Sequence, residues 1–363
     1  MAGWGTALPE QRVTNHDLMK RLDTTDEWIV ERTGIRERRV AGPGESTGPL
    51  AVAAARAALE RAGLTGADID LVVVATTTPE RPIPATAALV AAELGTTAGG
   101  FDLNAACAGF VYGLTTVAGA MASGAASTAL VVGADTMTSV TDPDDRSTAI
   151  LFGDGAGALV LVGGPAAGGS AAGTAGTVGT TAAGVDIAGG GPGLVACDLV
   201  HDPEGVDLLY VEAGGSGRPA STKTVESREH YLQMDGREVF RRAVRAVTLS
   251  VERTLERAGI GPDDVALFVP HQANARIVDS VLPRLGIPPE RTLRTIDHYG
   301  NTSAASIPLS LAEMADRQMV RSGDLVLLSG FGAGLSVGTA LWRWETVAPR
   351  RAGASETSGK DAA

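Results

Sequence analysis

Short, uninterrupted apolar runs recur along the chain: Leu71-Val-Val-Val74, Ala129-Leu-Val-Val132, Ala158-Leu-Val-Leu-Val162, Val265-Ala-Leu-Phe-Val269 and Leu325-Val-Leu-Leu328. Each has the length and apolar content of a strand, and the lack of polar alternation predicts strands buried on both faces of a sheet. Leu335 to Trp344 reads as a further strand, and the stretches between the runs as helices. Leu59-Glu-Arg-Ala-Gly-Leu64 returns as Leu255-Glu-Arg-Ala-Gly-Ile260, and the same offset of 196 residues carries Asp68-Ile-Asp-Leu-Val-Val73 onto Asp264-Val-Ala-Leu-Phe-Val269. Each copy is a helix ending in Gly, a short turn and a buried strand. Two copies this far apart are too few for a solenoid. They predict an α/β chain built from two similar halves, in which Ala75 of one copy stands where the other has His271.

Composition narrows the functional class. With 363 residues, 44% of them apolar and 20% charged, the chain can bury a large core and reads as a globular protein. A formal net charge of −12 argues against nucleic acid as a partner and offers no basic tract for a membrane surface, so an acidic partner would have to meet a local patch. Two cysteines, Cys107 and Cys197, make no disulfide framework and no metal-ligand spacing. The opening Met-Ala-Gly-Trp-Gly lacks a basic-then-apolar signal, and a reduced, cytoplasmic setting is expected. The Gly/Ala/Thr-rich stretch 163–193 reads as a connection between halves, and the polar end from residue 346 as a disordered tail.

Candidate chemistry lies in three distant segments. Phe101-Asp-Leu-Asn-Ala-Ala-Cys-Ala-Gly-Phe110 breaks from a strand into a helical pattern and sets Cys107 near a helix N-terminus, where the helix dipole favours a nucleophilic thiolate. Alone, it fits a small buried core cysteine equally well. Val269-Pro-His-Gln-Ala-Asn-Ala-Arg276 places His271 just after a strand, as base or hydrogen-bond donor, and His298-Tyr-Gly-Asn-Thr-Ser-Ala-Ala-Ser306 offers the Asn301 amide. Together they form a Cys/His/Asn set. Gly153-Asp-Gly-Ala-Gly157 and Gly332-Ala-Gly334 each run into a strand, which argues against a dinucleotide site. Cys197, His16, His201, His230 and His298 read as structural or surface residues.

These segments, with Asp26-Glu-Trp-Ile-Val-Glu-Arg-Thr-Gly-Ile-Arg36, Phe152-Gly-Asp-Gly-Ala-Gly157 and Gly330-Phe-Gly-Ala-Gly334, resemble the β-ketoacyl-acyl-carrier-protein synthase III family of thiolase-fold condensing enzymes from about Trp4 to Trp344. The resemblance implies a thiolase-like α/β fold with duplicated βαβαβ halves stacked as five layers, αβαβα. The expected division is 1–165 with the nucleophile, 166–195 as connection, 196–345 with His and Asn, and 346–363 as tail. It implies that Cys107 takes an acyl group from acyl-CoA and then condenses it with malonyl-acyl carrier protein, starting a fatty acid or polyketide chain, with no metal or redox cofactor. Backbone N–H groups of Cys107 and Ala333 would form an oxyanion hole. Trp28, Arg32, Arg146 and Asn274 would hold coenzyme A. Ile83, Phe152, Leu232 and Leu335 would line the acyl pocket, Ile83 reaching it from the other subunit of a homodimer. The acidic carrier protein would dock on Arg241 and Arg276, the former within a run with Arg237, Arg242 and Arg245. An acyltransferase of the same fold acting on a hydroxyl or amine is the alternative. A non-catalytic carrier-binding protein would not need the thiol.

Overall fold

The computed structural model describes residues 1–163 and 193–346. Most of the expected connection and nearly all of the expected tail lie outside the described residues. The first sheet takes β1 (Gly3–Ala7), β2 (Leu71–Ala75), β3 (Gly99–Leu103), β4 (Thr128–Thr136) and β5 (Asp154–Val162), in lateral order β1-β5-β4-β2-β3. The second takes β6 (Gly193–His201), β7 (Val265–Pro270), β8 (Leu325–Gly332) and β9 (Ser336–Arg343), ordered β7-β8-β9-β6. The parallel pair β2·β4 is matched by β7·β8, and antiparallel β4·β5 by β8·β9. Where β3 pairs with β2, the second half keeps only the parallel bridge between Phe268 and Thr292. Strand β6 starts three residues earlier than the expected boundary at 196.

Period-two alternation explains the layers. Val72 and Val74 of β2 face the outer helices Thr47–Ala62 and Thr86–Leu94, whereas Val73 between them turns inward. In β7, Leu267 and Val269 turn inward, and Phe268 meets the outer helices Gly236–Ala258 and Ala275–Leu285. Between the sheets lie Phe110 and Leu114 of the helix Gly109–Ala122 with Ile307 and Leu311 of the helix Ser306–Asp316. Both faces of the central strands β2, β4, β7 and β8 are thus covered, which is why these strands are predominantly apolar. The result is αβαβα, the thiolase-like stack.

The repeated helices end as their glycines require. Gly63 and Gly259 cap them at φ +65° and +67°, a left-handed conformation that a Cβ disfavours. Chain reversal after each cap returns the backbone to strands β2 and β7, whose C-terminal ends point to the same region of the molecule as the buried central helices.

Candidate active site

Strand β3 leads through Asn104 and Ala105 into a 3-10 turn, Ala106–Ala108, and then into the helix Gly109–Ala122. Asn104 Oδ1 accepts from the Ala106 N–H at 3.1 Å, and Ala106 takes φ +48°, a strained conformation for a residue with a side chain. Cys107 is thereby carried to the buried helix start, 7% exposed. Gly332, at the end of β8, comes so close that a Cβ there would lie 2.4 Å from the Cys107 nitrogen. The adjoining turn Ala333–Leu335 therefore lies against the thiol segment. Burial pushes the Cys107 thiol up to about 12; the neighbouring Ser303 hydroxyl opposes the shift and the Asp135 charge adds to it. Loss of hydration thus opposes the thiolate that a helix N-terminus favours.

His271 follows the last residue of β7, and its N–H donates to Ser329 O at 2.7 Å. Its Nδ1 lies 2.6 Å from Ser306 Oγ, which also receives the Gln272 N–H at 3.4 Å. A Ser306 hydroxyl that donates to Nδ1 leaves the ring proton on Nε2, the tautomer used in the mechanism below. Nε2 has no partner among the described residues, and Phe331 packs edge-on to the ring at 5.6 Å between centroids. Burial drives the imidazole pKa down to about 3, so the ring is neutral. Asn301 is fixed by its backbone, donating to Leu151 O at 2.9 Å and accepting from Gly153 N at 3.0 Å. Its Oδ1 accepts from Ser303 N at 2.9 Å. That bond assigns oxygen and leaves Nδ2 as a donor.

Cys107, His271 and Asn301 line one cavity of about 200 Å³. Arg32, Asn274 and Phe152 line it too. Trp28 and Arg32 belong to α1 (Asp26–Thr33), and the guanidinium carbons of Arg32 and Arg146 lie 5.4 and 4.9 Å from the Trp28 ring centroid. Asn274 caps the helix Ala275–Leu285 through the Arg276 N–H and donates to Arg32 O at 3.1 Å, tying that helix to α1. Arg276 lies over the cavity-lining Phe240, 5.7 Å from its centroid, and Arg241 is exposed beside Glu238.

The expected acyl-pocket set does not meet at this cavity within one chain. Leu335 is 1% exposed and packs on Gly205, because the Gly334 turn at φ +116° carries it away. Leu232 is buried where its N–H donates to Val140 O, and Met234, on the same short strand, lines the cavity instead. Ile83 is 86% exposed. Sequence reasoning missed Ser303, Ser306, Leu209, Met234 and Phe240. The two serines sit inside a motif already singled out, but only the folded turn shows which atoms their hydroxyls and N–H groups face.

Two family models match: 3-oxoacyl-[acyl-carrier-protein] synthase III over residues 101–177 and its C-terminal counterpart over 255–344. A β-ketoacyl-[acyl-carrier-protein] synthase III of Roseiflexus sp. (strain RS-1) is 47% identical over 345 residues, covering 95% of this chain and 98% of the relative. The chain belongs to the β-ketoacyl-acyl-carrier-protein synthase III family. Among solved family structures, 3-oxoacyl-(acyl carrier protein) synthase III of Pseudomonas aeruginosa PAO1 matches with a TM-score of 0.81 at 42% identity, covering 96% of this chain and 98% of that one. The priming β-ketosynthase of the R1128 polyketide pathway also gives 0.81, at 40% identity and 94% and 95% coverage. The five-layer stack is therefore the fold this family shares.

Proposed function

We propose that the chain condenses an acyl-CoA primer with malonyl-acyl carrier protein, through Cys107, His271 and Asn301. Cys107 sulfur attacks the acyl-CoA thioester, a C–S bond to Cys107 forms, and coenzyme A leaves with the thiol proton. Backbone N–H groups of Cys107 and Ala333 stabilise the oxyanion as it develops. Malonyl-carrier protein then loses CO₂, and its thioester oxygen becomes an enolate oxygen bound by His271 Nε2–H and Asn301 Nδ2–H. The enolate carbon attacks the acyl-Cys107 carbonyl, releasing β-ketoacyl-carrier protein and the Cys107 thiolate, which regains a proton. The observation that carries this reading is an unpartnered imidazole nitrogen and a side-chain amide whose oxygen is already engaged, both sharing a cavity with a buried thiol.

Transfer to a hydroxyl or amine needs a base at the acceptor. With the Ser306 hydroxyl donating to Nδ1, His271 Nε2 is a donor rather than a base, the arrangement condensation needs. Arg32 and Arg146 around Trp28 would hold the coenzyme A nucleotide, Asn274 its pantetheine arm, and Arg241 and Arg276 the acidic carrier. The exposed Ile83 and the exposed Phe101 on edge strand β3 support a homodimer in which Ile83 enters the partner's acyl pocket. No described helix is long and apolar enough to cross a membrane, and a cytoplasmic setting is proposed. No described cluster of His, Cys, Asp or Glu could hold a metal, and the proposed steps use no cofactor. The test is intact mass measurement of Cys107 acylation across acyl-CoAs, followed by malonyl-carrier protein. Absence of an acyl adduct on Cys107 would overturn the reading.

A further inference from the structure

Asp135, the penultimate residue of β4, is fully buried and has no ion pair among the described residues. Its Oδ1 accepts from Thr76 Oγ1 (3.1 Å), Thr77 N and Oγ1 (2.7 and 3.0 Å) and Thr78 N and Oγ1 (3.1 and 2.9 Å). Its Oδ2 accepts from the Ala304 N–H at 3.0 Å. One carboxylate thus joins the end of β2 in the first half to a turn in the second. That turn, Ser303–Ala305, begins two residues after Asn301 and starts with Ser303 at φ +51°. Asn301 Oδ1 holds the Ser303 N–H and Asp135 Oδ2 holds the next one, so the two side chains grip consecutive donors of one strained turn.

We propose that Asp135 is a positioning residue for condensation, pinning the Ser303–Ala305 turn so that the Asn301 Nδ2 donor faces the enolate. The proposal rests on the functional reading above. Six donors from the end of β2 and from the Ser303–Ala305 turn converge on this one carboxylate, so its two oxygens set the spacing between the two segments. The charge has a second consequence at the nucleophile. Burial is the main cause of the raised Cys107 pKa, and the Asp135 anion adds to it. The charged or titratable groups around the thiol are His271, Asp135 and, among the cavity-lining residues, Arg32.

Asp135→Asn keeps the shape but presents an amide to N–H and O–H donors. Condensation is expected to fall on the order of 100-fold, the scale of a misplaced reacting group, while acylation of Cys107 by acyl-CoA stays within about threefold. Removal of the charge should also make iodoacetamide alkylation of Cys107 start at lower pH while the melting temperature is unchanged, which separates it from a loosened fold that hydrates the thiol. Thr78→Val, which removes one Oδ1 donor, serves if Asp135→Asn does not fold, with condensation lowered about threefold or more and acylation kept. Condensation at the parent rate in a folded Asp135→Asn, or in Thr78→Val if that variant alone folds, overturns the assignment; so does equal loss of both half-reactions. If the parent acylates but never condenses, the functional reading itself has failed, and the Asp135 role falls with it.

Discussion

Cys107 and His271 are both held uncharged by burial, the thiol at about 12 and the imidazole at about 3. A thiol in that state reacts in proportion to its small thiolate fraction, which grows about tenfold per pH unit below the pKa. Alkylation of Cys107 by iodoacetamide should therefore climb from pH 7 to pH 10 with no plateau; a plateau near neutrality would show a stabilised thiolate and refute the burial argument. Asn301 tests the division between steps. Cys107→Ala should abolish acyl uptake. Asn301→Ala should leave the acyl-enzyme forming and slow condensation by about 10²- to 10³-fold, the usual cost of one oxyanion donor. Condensation by Asn301→Ala at the parent rate would remove the enolate clamp from the mechanism.

At the scale of elements, the site is assembled where β2, β3, β7 and β8 end, and it depends on how closely their turns meet. Gly332 is the tightest point. Gly332→Ala should damage both half-reactions together, because its Cβ would meet the Cys107 backbone nitrogen at 2.4 Å. Acylation assays on a variant with unchanged melting temperature check this. Helix α1 makes a separate contribution by presenting Trp28 to Arg32 and Arg146. Trp28→Ala should raise KM for acyl-CoA several-fold, in line with loss of about 1 to 2 kcal/mol of aromatic and cation contact, without changing KM for malonyl-carrier protein. A matching rise in both would place Trp28 outside the nucleotide site.

For the whole molecule, subunit pairing, primer choice and pH stability give three more tests. Sedimentation at micromolar concentration should show a dimer. In competition, branched or medium-chain primers should match or exceed acetyl-CoA, each added buried CH₂ contributing roughly 0.8 kcal/mol; Ile83→Phe should return preference toward acetyl. Acetyl-CoA winning against isobutyryl- and butyryl-CoA would sink the specificity argument. His298, next to the Asn301 turn, bonds Asp297 at 2.7 Å and Glu313 at 3.2 Å, and these carboxylates raise its pKa to about 9. A raised histidine pKa means stability present in full below the unfolded value near 6.5 and lost as pH rises through about 9. The melting-temperature gap between the parent and His298→Gln should accordingly be wide at pH 6 and close by pH 10.

The apolar runs and the 196-residue repeat made the duplicated α/β architecture legible in the sequence, because a strand buried on both faces must be apolar throughout and a left-handed helix cap favours Gly. The Cys107 and Asn301 motifs were legible because small residues surround them, and His271 because it directly follows an apolar strand; the family resemblance joined the three. Protonation was not. The end of a helix favours a thiolate, but how much water reaches Cys107 depends on Gly332 and Ser303, hundreds of positions away, and burial prevailed. Likewise the family resemblance implies Leu232 and Leu335 for the acyl pocket, and only the folded chain shows that Met234 and Leu209 line the cavity that holds Cys107 within one chain. Local spacing fixes which residues share an element's face; the direction of a side chain at a turn, and its hydration, are set by the segments that the tertiary fold packs against it.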